Sequence, residues 1–269
     1  MIYLVATPIG NLEDITLRSL NVLKKVDIIA CEDTRHTRIL LDNYDIKDKK
    51  LISYHQHNER EKAQELVTLS KMGNDIALVS DAGMPGISDP GHEVVKQCIK
   101  ENEAYTVLPG PSAMVTALVL SGFSNLRFKY LGFLPVKGRQ RSEYLDIIKN
   151  ESETIIIYEA PHKLDKLMED LNKICPDRKV ACIREISKVY EEVVRFTVKD
   201  YPDLDLMKKG EFVVVLDAFD LDEDLSDEEI IDNLKELVAS GMRKKEAVKL
   251  VAENYKLNKN YVYELSIKI

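Results

Sequence analysis

The stretch IALVSDAGMPGISDPG, residues 76–91, decides the fold that we expect for this chain. It begins with a short apolar run, and the eleven residues that follow, Asp81 to Gly91, are rich in glycine and proline. A run of this kind is typical of a strand buried on both faces of a sheet. Because glycines let a ligand approach the backbone, the stretch predicts a parallel strand whose carboxyl end carries a binding loop.

Four further apolar runs repeat this pattern in the first part of the chain. Leucines between them recur at helical spacing, as at Leu17, Leu20 and Leu23. The runs are Ile2 to Thr7, Asp27 to Cys31, Leu51 to Tyr54 and Tyr105 to Leu108. Strands that alternate with helices predict a mainly parallel sheet flanked by helices, so we assign residues 1–116 to a first α/β domain.

A second group of strands follows. They are predicted at Tyr130 to Phe133, Thr154 to Glu159, Lys179 to Ile183, Glu192 to Thr197 and Phe212 to Asp217. No helical pattern separates the third of these runs from the fourth, which favours an antiparallel pair within a mixed sheet. We expect residues 117–222 to form a second α/β domain.

The remaining residues, 223–269, have the pattern of a small helical appendage of the helix-turn-helix type. Ser226 and Glu229 have the spacing of a capping box, and Gly241 separates the helix that follows from a second one. A third helix is predicted around 258–265. The charge changes sign within this unit from acidic to basic, which fits either contact with nucleic acid or an ordinary solvated surface.

Composition narrows the classes of function. The chain has 269 residues, with 38 basic and 46 acidic side chains and a net charge of −8, so bulk charge does not favour a protein coated with nucleic acid. The longest apolar runs are too short to cross a bilayer, and the amino terminus leaves no room for a signal peptide. Cysteines that lack a C-x-x-C spacing indicate reduced thiols, and a cytoplasmic protein without a membrane partner is expected. The cysteines are Cys31, Cys98, Cys175 and Cys182.

Three loops at predicted strand ends carry the unusual residues: 7–11 (TPIGN), 81–91 and 109–113 (PGPSA). In an open α/β sheet these loops meet at one edge, so we expect them to form one binding cleft. The chain has no G-x-G-x-x-G, no phosphate-binding loop with lysine and no G-x-S-x-G, which favours a ligand without phosphates. For Asp89 and Pro90 alone, the start of a helix is the simpler interpretation, with Asp89 as the N-cap.

Two polar clusters follow other strands. In CEDTRHT, residues 31–37, the acids suit a helix amino terminus with Thr34 as its cap, but Arg35 is disfavoured at that end. We therefore weigh a functional role for this cluster equally with a structural one. His55 and His57 are spaced to share one face, but no third ligand has a supporting spacing, so no metal site is predicted.

A basic and aromatic stretch lies between residues 127 and 141. Basic side chains interleaved with aromatic rings fit the binding of single-stranded RNA, although the rings also suit the core of a strand. The residues are Arg127, Phe128, Lys129, Tyr130, Phe133, Lys137, Arg139 and Arg141.

These motifs together resemble a known family. LVATPIGNLEDIT, CEDTRHT, HQHNE, VSDAGMPGISDPG, LPGPSA, GFLP, YEAPHKL and REISK occur in this order, and the chain resembles the ribosomal RNA small subunit methyltransferase I family of the tetrapyrrole methylases. The resemblance implies two α/β domains of the tetrapyrrole methylase type with a cleft between them, plus the helical appendage. It also implies S-adenosylmethionine as cofactor, a homodimer, and 2′-O-methylation of a cytidine in small-subunit (16S) rRNA, either as RNA or in the assembled 30S subunit.

Carried over residue by residue, the resemblance implies cofactor contacts from the first domain and from across the cleft. These are Pro8, Gly10, Asp81, Ala82, Gly83, Met84, Pro85, Pro109, Gly110, Pro111, Ser112, Ala113, Phe133, Leu134, Tyr158 and Ala160.

A ribose hydroxyl is a poor nucleophile until its proton leaves, so a base or a cation is needed beside it. The candidate bases are Glu32, Asp33 and His36; the candidate cations are Arg35 and Lys188, and Glu185 is a further candidate.

Two alternatives remain open. One is a C-methyltransferase that acts on a tetrapyrrole in the same cleft. The other is a non-catalytic RNA-binding assembly factor whose cofactor cleft has lost its activity, against which the intact loops argue.

Overall fold

The computed structural model of the protein describes residues 1–218, 227–255, 257 and 259–269. Within these residues the chain forms two five-stranded sheets with flanking helices and a carboxyl-terminal group of three helices. The predicted α/β class is confirmed.

The first sheet is entirely parallel, with the order β3-β2-β4-β1-β5. Its strands are β1 (Ile2–Val5), β2 (Ile28–Cys31), β3 (Lys50–Ser53), β4 (Ile76–Val79) and β5 (Tyr105–Leu108). Every residue of β2 and β4 is buried, as their unbroken apolar sequences predict. Val5 lies level with Val79 and Leu108, so the loops after β1, β4 and β5 leave the sheet side by side.

Helices cover both faces of this sheet. They are α1 (Leu17–Lys25), α2 (Thr34–Asn43), α3 (Glu59–Lys71) and α4 (His92–Glu101). Leu23 of α1 and Leu41 of α2 pack in one core cluster, whereas Leu66 of α3 and Val94 of α4 pack in the other. This arrangement leaves the carboxyl edge of the sheet open for binding loops.

The second sheet is mixed, with the order β6-β7-β10-β8-β9. Its strands are β6 (Phe128–Phe133), β7 (Thr154–Glu159), β8 (Lys179–Arg184), β9 (Glu192–Thr197) and β10 (Phe212–Leu216). β6 and β7 are parallel, and β8 and β9 form the predicted antiparallel pair. Helices α6 (Arg139–Asn150) and α7 (Leu164–Ile174) pack on one face, and α5 (Ala113–Ser121) packs on the other.

The helix α5 belongs by its packing to the second sheet. Ala117 and Leu118 share a core cluster with Ile156 of β7 and Ile183 of β8. The chain therefore passes from one sheet to the other before α5, and we propose that the second domain begins near Ala113 rather than at residue 117.

The carboxyl-terminal helices are α8 (Asp227–Ala239), α9 (Lys244–Asn254) and α10 (Lys259–Ser266). They pack on one another around Leu234, Val251 and Val262. Ser226, the predicted cap of α8, lies outside the described residues, as does the predicted domain boundary at 222. No helix among the described residues is long and apolar enough to cross a membrane.

Candidate active site

A cavity of about 360 Å³ lies where the loops of the first domain meet the second sheet. Both domains contribute to its wall, as the predicted cleft requires. The lining residues are Ile9, Ala82, Gly83, Met84, Ile87, Ser88, Asp89, Ser112, Ala113, Phe133, Tyr158, Glu159, Ala160, Pro161, Ile186, Glu211, Phe212 and Val213. The volume is within the range of small-molecule pockets, about 300–1,000 Å³.

The loops after β1 and β4 are hydrogen-bonded to each other. The Thr7 amide donates to the Gly83 carbonyl at 2.9 Å, and the Gly83 amide donates to the Thr7 carbonyl at 3.0 Å. The Ser80 hydroxyl also donates to the Gly83 carbonyl, at 3.1 Å. Thr7 and Ser80, which were predicted as strand ends, therefore hold two binding loops together.

The second half of the loop after β4 is tightly folded. Gly91 has φ +153°, and a Cβ at this position would lie 2.8 Å from the Gly86 amide nitrogen. Helix α4 begins at His92 with Gly91 as its N-cap. The interpretation of Asp89 as an N-cap is thus wrong, because the glycine turn starts the helix later and leaves Asp89 to line the cavity.

Aromatic residues of the second sheet form the opposite wall. The Phe133 and Tyr158 rings pack edge to face with centroids 5.6 Å apart, and those of Tyr130 and Tyr158 do so at 5.1 Å. The hydroxyls of Ser88 and Tyr130 lie 2.5 Å apart, which is a hydrogen bond between the two domains. The wall is therefore both apolar and tied to the loop that carries Asp89.

The residues predicted to contact the cofactor fall into two groups. Those that line the cavity are Ala82, Gly83, Met84, Ser112, Ala113, Phe133, Tyr158 and Ala160. Those that do not line it are Pro8, Gly10, Asp81, Pro85, Pro109, Gly110, Pro111 and Leu134. Leu134 instead packs in the core under α6 and α7.

Gly110, in the second group, supports the loop after β5 through close packing. A Cβ at Gly110 would lie 2.7 Å from the Cβ of Ala6, which is fully buried at the end of β1. The two loops therefore approach each other only because one of these residues lacks a side chain.

Gly110→Ala is accordingly expected to lower the free energy of unfolding by about 1–3 kcal/mol through overpacking. Adding Ala6→Gly removes the clashing methyl group and should restore part of the loss, giving a coupling energy of about 1 kcal/mol or more in a double-mutant cycle. Urea unfolding of the four proteins measures this. Strictly additive losses would show that the two residues are not in contact.

Three carboxylates line the cavity, Asp89, Glu159 and Glu211, and none of the described residues that line it is basic. Glu159 is only 4% exposed. Its Oε1 accepts a hydrogen bond from the Ala160 amide at 2.9 Å, whereas its Oε2 is buried without a partner among the described residues. Burial raises the pKa of this carboxyl. A buried polar atom left without a partner indicates a ligand or a water at that point.

Asp89 lies beside two further carboxylates. Burial, together with the charges of Glu32 and Asp81, raises the pKa of Asp89 to about 7. Glu32 is half-buried, and its own pKa is raised by burial and by the charge of Asp81. Asp89 was not among the residues predicted to form the site, although an aspartate inside a glycine-rich loop at a strand end was the available signal.

The other residues of the CEDTRHT cluster have local roles. Asp33 is the N-cap of α2, so the assignment of Thr34 as the cap is wrong by one residue. Asp33 binds the Arg35 guanidinium through both carboxylate oxygens, and these hydrogen bonds hold the pKa of Asp33 well below its usual range. Arg35 and His36 are exposed, and no residue of the cluster lines the cavity.

Glu185 and Lys188 lie in the second domain, beside the loop after β1. Lys188 Nζ lies 2.9 Å from Glu185 Oε1 and 2.8 Å from Glu211 Oε2, so it pairs with a carboxylate that lines the cavity. A Cβ at Gly10 would overlap Lys188 Cγ, so the Lys188 side chain packs against this loop of the first domain. The hydrogen bond between the domains comes from the neighbouring Ser187, whose hydroxyl donates to Asp14.

Four residues of the basic stretch pair with carboxylates, three of which are distant in sequence. Arg127 pairs with Glu153, Lys129 with Glu151, Arg139 with Glu143, and the buried Arg141 with Asp170. The stretch is therefore a weaker RNA-binding surface than its sequence predicts.

The rings of His55 and His57 lie 5.9 Å apart, and the described residues include no cluster suited to a metal ion.

Comparison with known proteins agrees with this architecture. Residues 1–202 match the family model "Tetrapyrrole (Corrin/Porphyrin) Methylases". Among solved structures, diphthine synthase has a TM-score of 0.63 at 15% identity, covering 80% of this chain and 89% of that one. Uroporphyrin-III C-methyltransferase from Thermus thermophilus complexed with S-adenosylhomocysteine has a TM-score of 0.58 at 16% identity, covering 80% and 96%. At sequence identities this low, the structural similarity shows that the fold is shared and nothing more.

Curated relatives are much closer in sequence. A protein of Halalkalibacterium halodurans is 41% identical over 98% of this chain and 93% of its own length, and one of Synechocystis is 42% identical over 100% and 98%. Both are named "Ribosomal RNA small subunit methyltransferase I". The chain therefore belongs to the ribosomal RNA small subunit methyltransferase I family of the tetrapyrrole methylases, which are S-adenosylmethionine-dependent methyltransferases.

Proposed function

We propose that this protein transfers a methyl group from S-adenosylmethionine to the ribose 2′-oxygen of a cytidine in small-subunit (16S) rRNA. The names of full-length relatives support the RNA substrate. The observation that carries the proposal is the cavity between the domains, which is apolar and acidic and which, within the part of the chain that the structure describes, no basic residue lines.

The cavity fits the methyl donor in charge and in its apolar lining. S-adenosylmethionine carries a positive sulfonium, a positive ammonium and one carboxylate and has no phosphate, so its net positive charge suits a wall with carboxylates and apolar side chains. Its hydroxyl and amino groups are hydrogen-bond donors, for which the carboxylates of the wall are acceptors. When bound, the donor supplies a methyl group activated by the adjacent sulfonium. We propose that Met84, Ala113, Phe133 and Tyr158 hold it in the cavity.

The same electrostatics disfavour the tetrapyrrole alternative. A macrocycle with many carboxylates needs cations to bind it, whereas the described residues that line the cavity provide three carboxylates and no lysine or arginine. Lys188 contacts Glu211 but does not line the cavity. We therefore propose that the acceptor is an RNA hydroxyl presented at the mouth of the cleft.

Positioning of the acceptor supplies much of the rate in a transfer of this kind. We propose that Arg35 and His36, which are exposed at the start of α2, meet the RNA backbone there. Glu185 and Lys188 are proposed to act by fixing Glu211, to which Lys188 is paired, in the wall of the cavity. Asp33 is bound to Arg35, which lowers its basicity, and Glu32 lies beside Asp81. Of the two neighbouring carboxylates that were predicted as bases, Glu32 is thus the one that forms no ion pair with a lysine or arginine among the described residues.

We also propose that the protein works as a homodimer in the cytoplasm, where ribosomal subunits are assembled. Val115 and Val119, one turn apart on α5, are 50% and 70% exposed, although the other side of α5 is packed on the second sheet. An exposed apolar patch supports an interface. Light scattering tests this, since a dimer has twice the mass of one chain.

Glu159→Gln is expected to weaken S-adenosylmethionine binding about tenfold. The glutamine can keep its carbonyl on the Ala160 amide, but the wall of the cavity loses one of the carboxylates that suit a cationic ligand. Titration calorimetry measures the effect, with the exposed Glu143→Gln as a matched control. Unchanged or tighter binding by Glu159→Gln would show that no ligand donor meets this carboxylate.

The proposed function is tested with rRNA from cells that lack the protein. The purified enzyme is incubated with methyl-labelled S-adenosylmethionine and either naked 16S rRNA or 30S subunits, and the product is mapped by mass spectrometry. The expected product is one 2′-O-methylcytidine. Methylation of a tetrapyrrole in its place would support the C-methyltransferase alternative, and binding of RNA without transfer would support the assembly factor.

A further inference from the structure

We propose that Arg141 is a positioning residue for S-adenosylmethionine, and that it acts by holding Glu159 in the wall of the cavity. The inference rests on the proposed place of the methyl donor in this cavity, to which it adds a residue that lies behind the lining side chains. The sequence placed Arg141 in a basic and aromatic stretch suited to RNA. Only 8% of the residue is exposed, so it has a different role.

Helix stability does not explain an arginine at this place. Arg141 lies in the first turn of α6, which begins at Arg139 with Gly138 as its N-cap. The helix dipole disfavours a positive charge at this end of a helix. A buried ion pair is also no more stabilising, as a rule, than apolar side chains of the same volume. The buried guanidinium therefore indicates a role beyond folding.

The guanidinium of Arg141 connects α6 to two other elements of the second domain. Its Nε donates to Asp170 Oδ2 of α7 at 2.9 Å, and its Nη1 donates to the Pro135 carbonyl at 2.8 Å. Pro135 follows β6, whose last residue, Phe133, lines the cavity. Arg141 thus fixes the turn that carries one side of the cavity wall.

Glu159 extends to the same side of the second sheet as Arg141. Successive side chains of a strand point to opposite faces. In β7, Ile157 packs in the core under α6 and α7, whereas Tyr158 packs on the side of α5. Glu159, the last residue of β7, therefore points toward the helices, and it does so at the end of the strand that borders the cavity.

Each of these two side chains has one polar atom that no described residue satisfies. Arg141 Nη2 is a buried donor, and Glu159 Oε2 is a buried acceptor. Burial raises the pKa of Glu159, and the charge of Arg141 is among the effects that oppose this rise. No direct ion pair between the two is found among the described residues. A water that accepts from Nη2 and donates to Oε2 is the link that satisfies both atoms.

This link prepares the acidic side of the wall for a cationic ligand. A buried carboxylate attracts a cation only while it is ionised, and a positive charge behind it favours that form. Oε1 of Glu159 is held by the Ala160 amide, so with Oε2 held through the water the carboxylate has one orientation before the ligand arrives. Affinity rises because less ordering is left for the binding step.

Arg141→Lys is expected to weaken S-adenosylmethionine binding about tenfold. A lysine keeps the charge and can still bind Asp170, but its single ammonium lacks the fork that reaches Pro135 and Glu159 at the same time. Titration calorimetry measures the Kd, on protein that circular dichroism shows to be folded. A Kd within about twofold of the wild-type value would contradict the proposal.

Arg178→Lys is the matched control. Arg178 is also buried in the second domain, but its guanidinium donates to the carbonyls of Ile148, Glu153 and Asp217, at the end of the sheet opposite the cavity. Both variants should unfold at a lower urea concentration than the wild type. Arg178→Lys should nevertheless keep its Kd for S-adenosylmethionine within about twofold. Equal losses of affinity in the two variants would reduce the effect of Arg141 to general destabilisation and overturn its assignment.

A double-mutant cycle tests whether Arg141 acts through Glu159. Glu159→Gln alone is expected to weaken binding about tenfold, and the double variant should weaken it only about 10–20-fold, because the two changes remove the same arrangement. Independent effects would multiply to about 100-fold. That result would show that Arg141 does not act through Glu159.

A third test observes the guanidinium in the wild-type protein, so it does not depend on how a variant folds. Arginine labelled with the heavy nitrogen isotope gives separate Nε–H signals for Arg141 and Arg178, which triple-resonance spectra assign. Saturation with S-adenosylmethionine should shift the signal of Arg141 and leave that of Arg178 in place. An Arg141 signal that does not move would refute a role in binding.

The two levels of the argument fail in different ways. If the wild-type protein binds no S-adenosylmethionine, the proposed function fails and the inference with it. If the wild type binds it and Arg141→Lys binds it with the same Kd, the inference alone fails.

Discussion

Met84→Lys is expected to weaken S-adenosylmethionine binding about 100-fold. Met84 lies in the loop after β4 and lines the cavity, so a lysine there places an ammonium beside the bound sulfonium. Two like charges about 6 Å apart repel by roughly 2–3 kcal/mol at an effective dielectric constant of about 20, which corresponds to about 100-fold in Kd. Titration calorimetry at low salt measures the change.

The matched variant is Met84→Gln, which has a similar length and no charge. It should weaken binding by less than about tenfold. S-adenosylhomocysteine, whose sulfur is neutral, should lose much less affinity for Met84→Lys than S-adenosylmethionine does. Equal losses for the two ligands would show that the lysine acts by filling space, and that the charge of the cavity does not select the sulfonium.

Reversing two charges of the appendage, Arg243→Glu with Lys245→Glu, is expected to weaken rRNA binding about 30-fold near 0.1 M salt. Both side chains are exposed at the start of α9, and the acidic total of the chain requires RNA to be met by such confined basic surfaces. Loss of two phosphate contacts should also reduce the slope of log Kd against log salt by about 2. Filter binding across a salt series measures both quantities.

Lys235→Glu is the control for this prediction. Lys235 is on α8 and pairs with Asp232 in the same helix, so its reversal should change RNA affinity by less than about threefold. The affinity for S-adenosylmethionine should be unchanged in every variant. If the double variant binds rRNA as the wild type does, the basic residues of the appendage are an ordinary solvated surface, which is the alternative that the sequence left open.

The strands of the first sheet and their parallel direction could be predicted because their signal is local. The runs that include Ile28 and Ile76 are apolar throughout, as a strand buried on both faces requires. The turn between β8 and β9 is too short for a helix, so their antiparallel pairing was also visible in the sequence. The convergence of the binding loops could also be predicted, because the carboxyl ends of parallel strands lie at one edge of the sheet.

The parts of the site that sequence reasoning missed depend on contacts between distant residues. Asp89 followed by proline matches the start of a helix, and only the packing of Gly91 on Gly86 shows that α4 begins later. Arg141 looked available to RNA, yet it is buried against Asp170 of another helix. Glu159 ends an apolar strand, and the sequence does not reveal that this residue lines a cavity shared with the first domain.

A crystal structure of the protein grown with S-adenosylhomocysteine is the most direct measurement. We expect density for the whole ligand in the cavity bounded by Met84, Ala113 and Tyr158. A ligand bound at another place, or the same cavity filled only by water at saturating ligand, would contradict it.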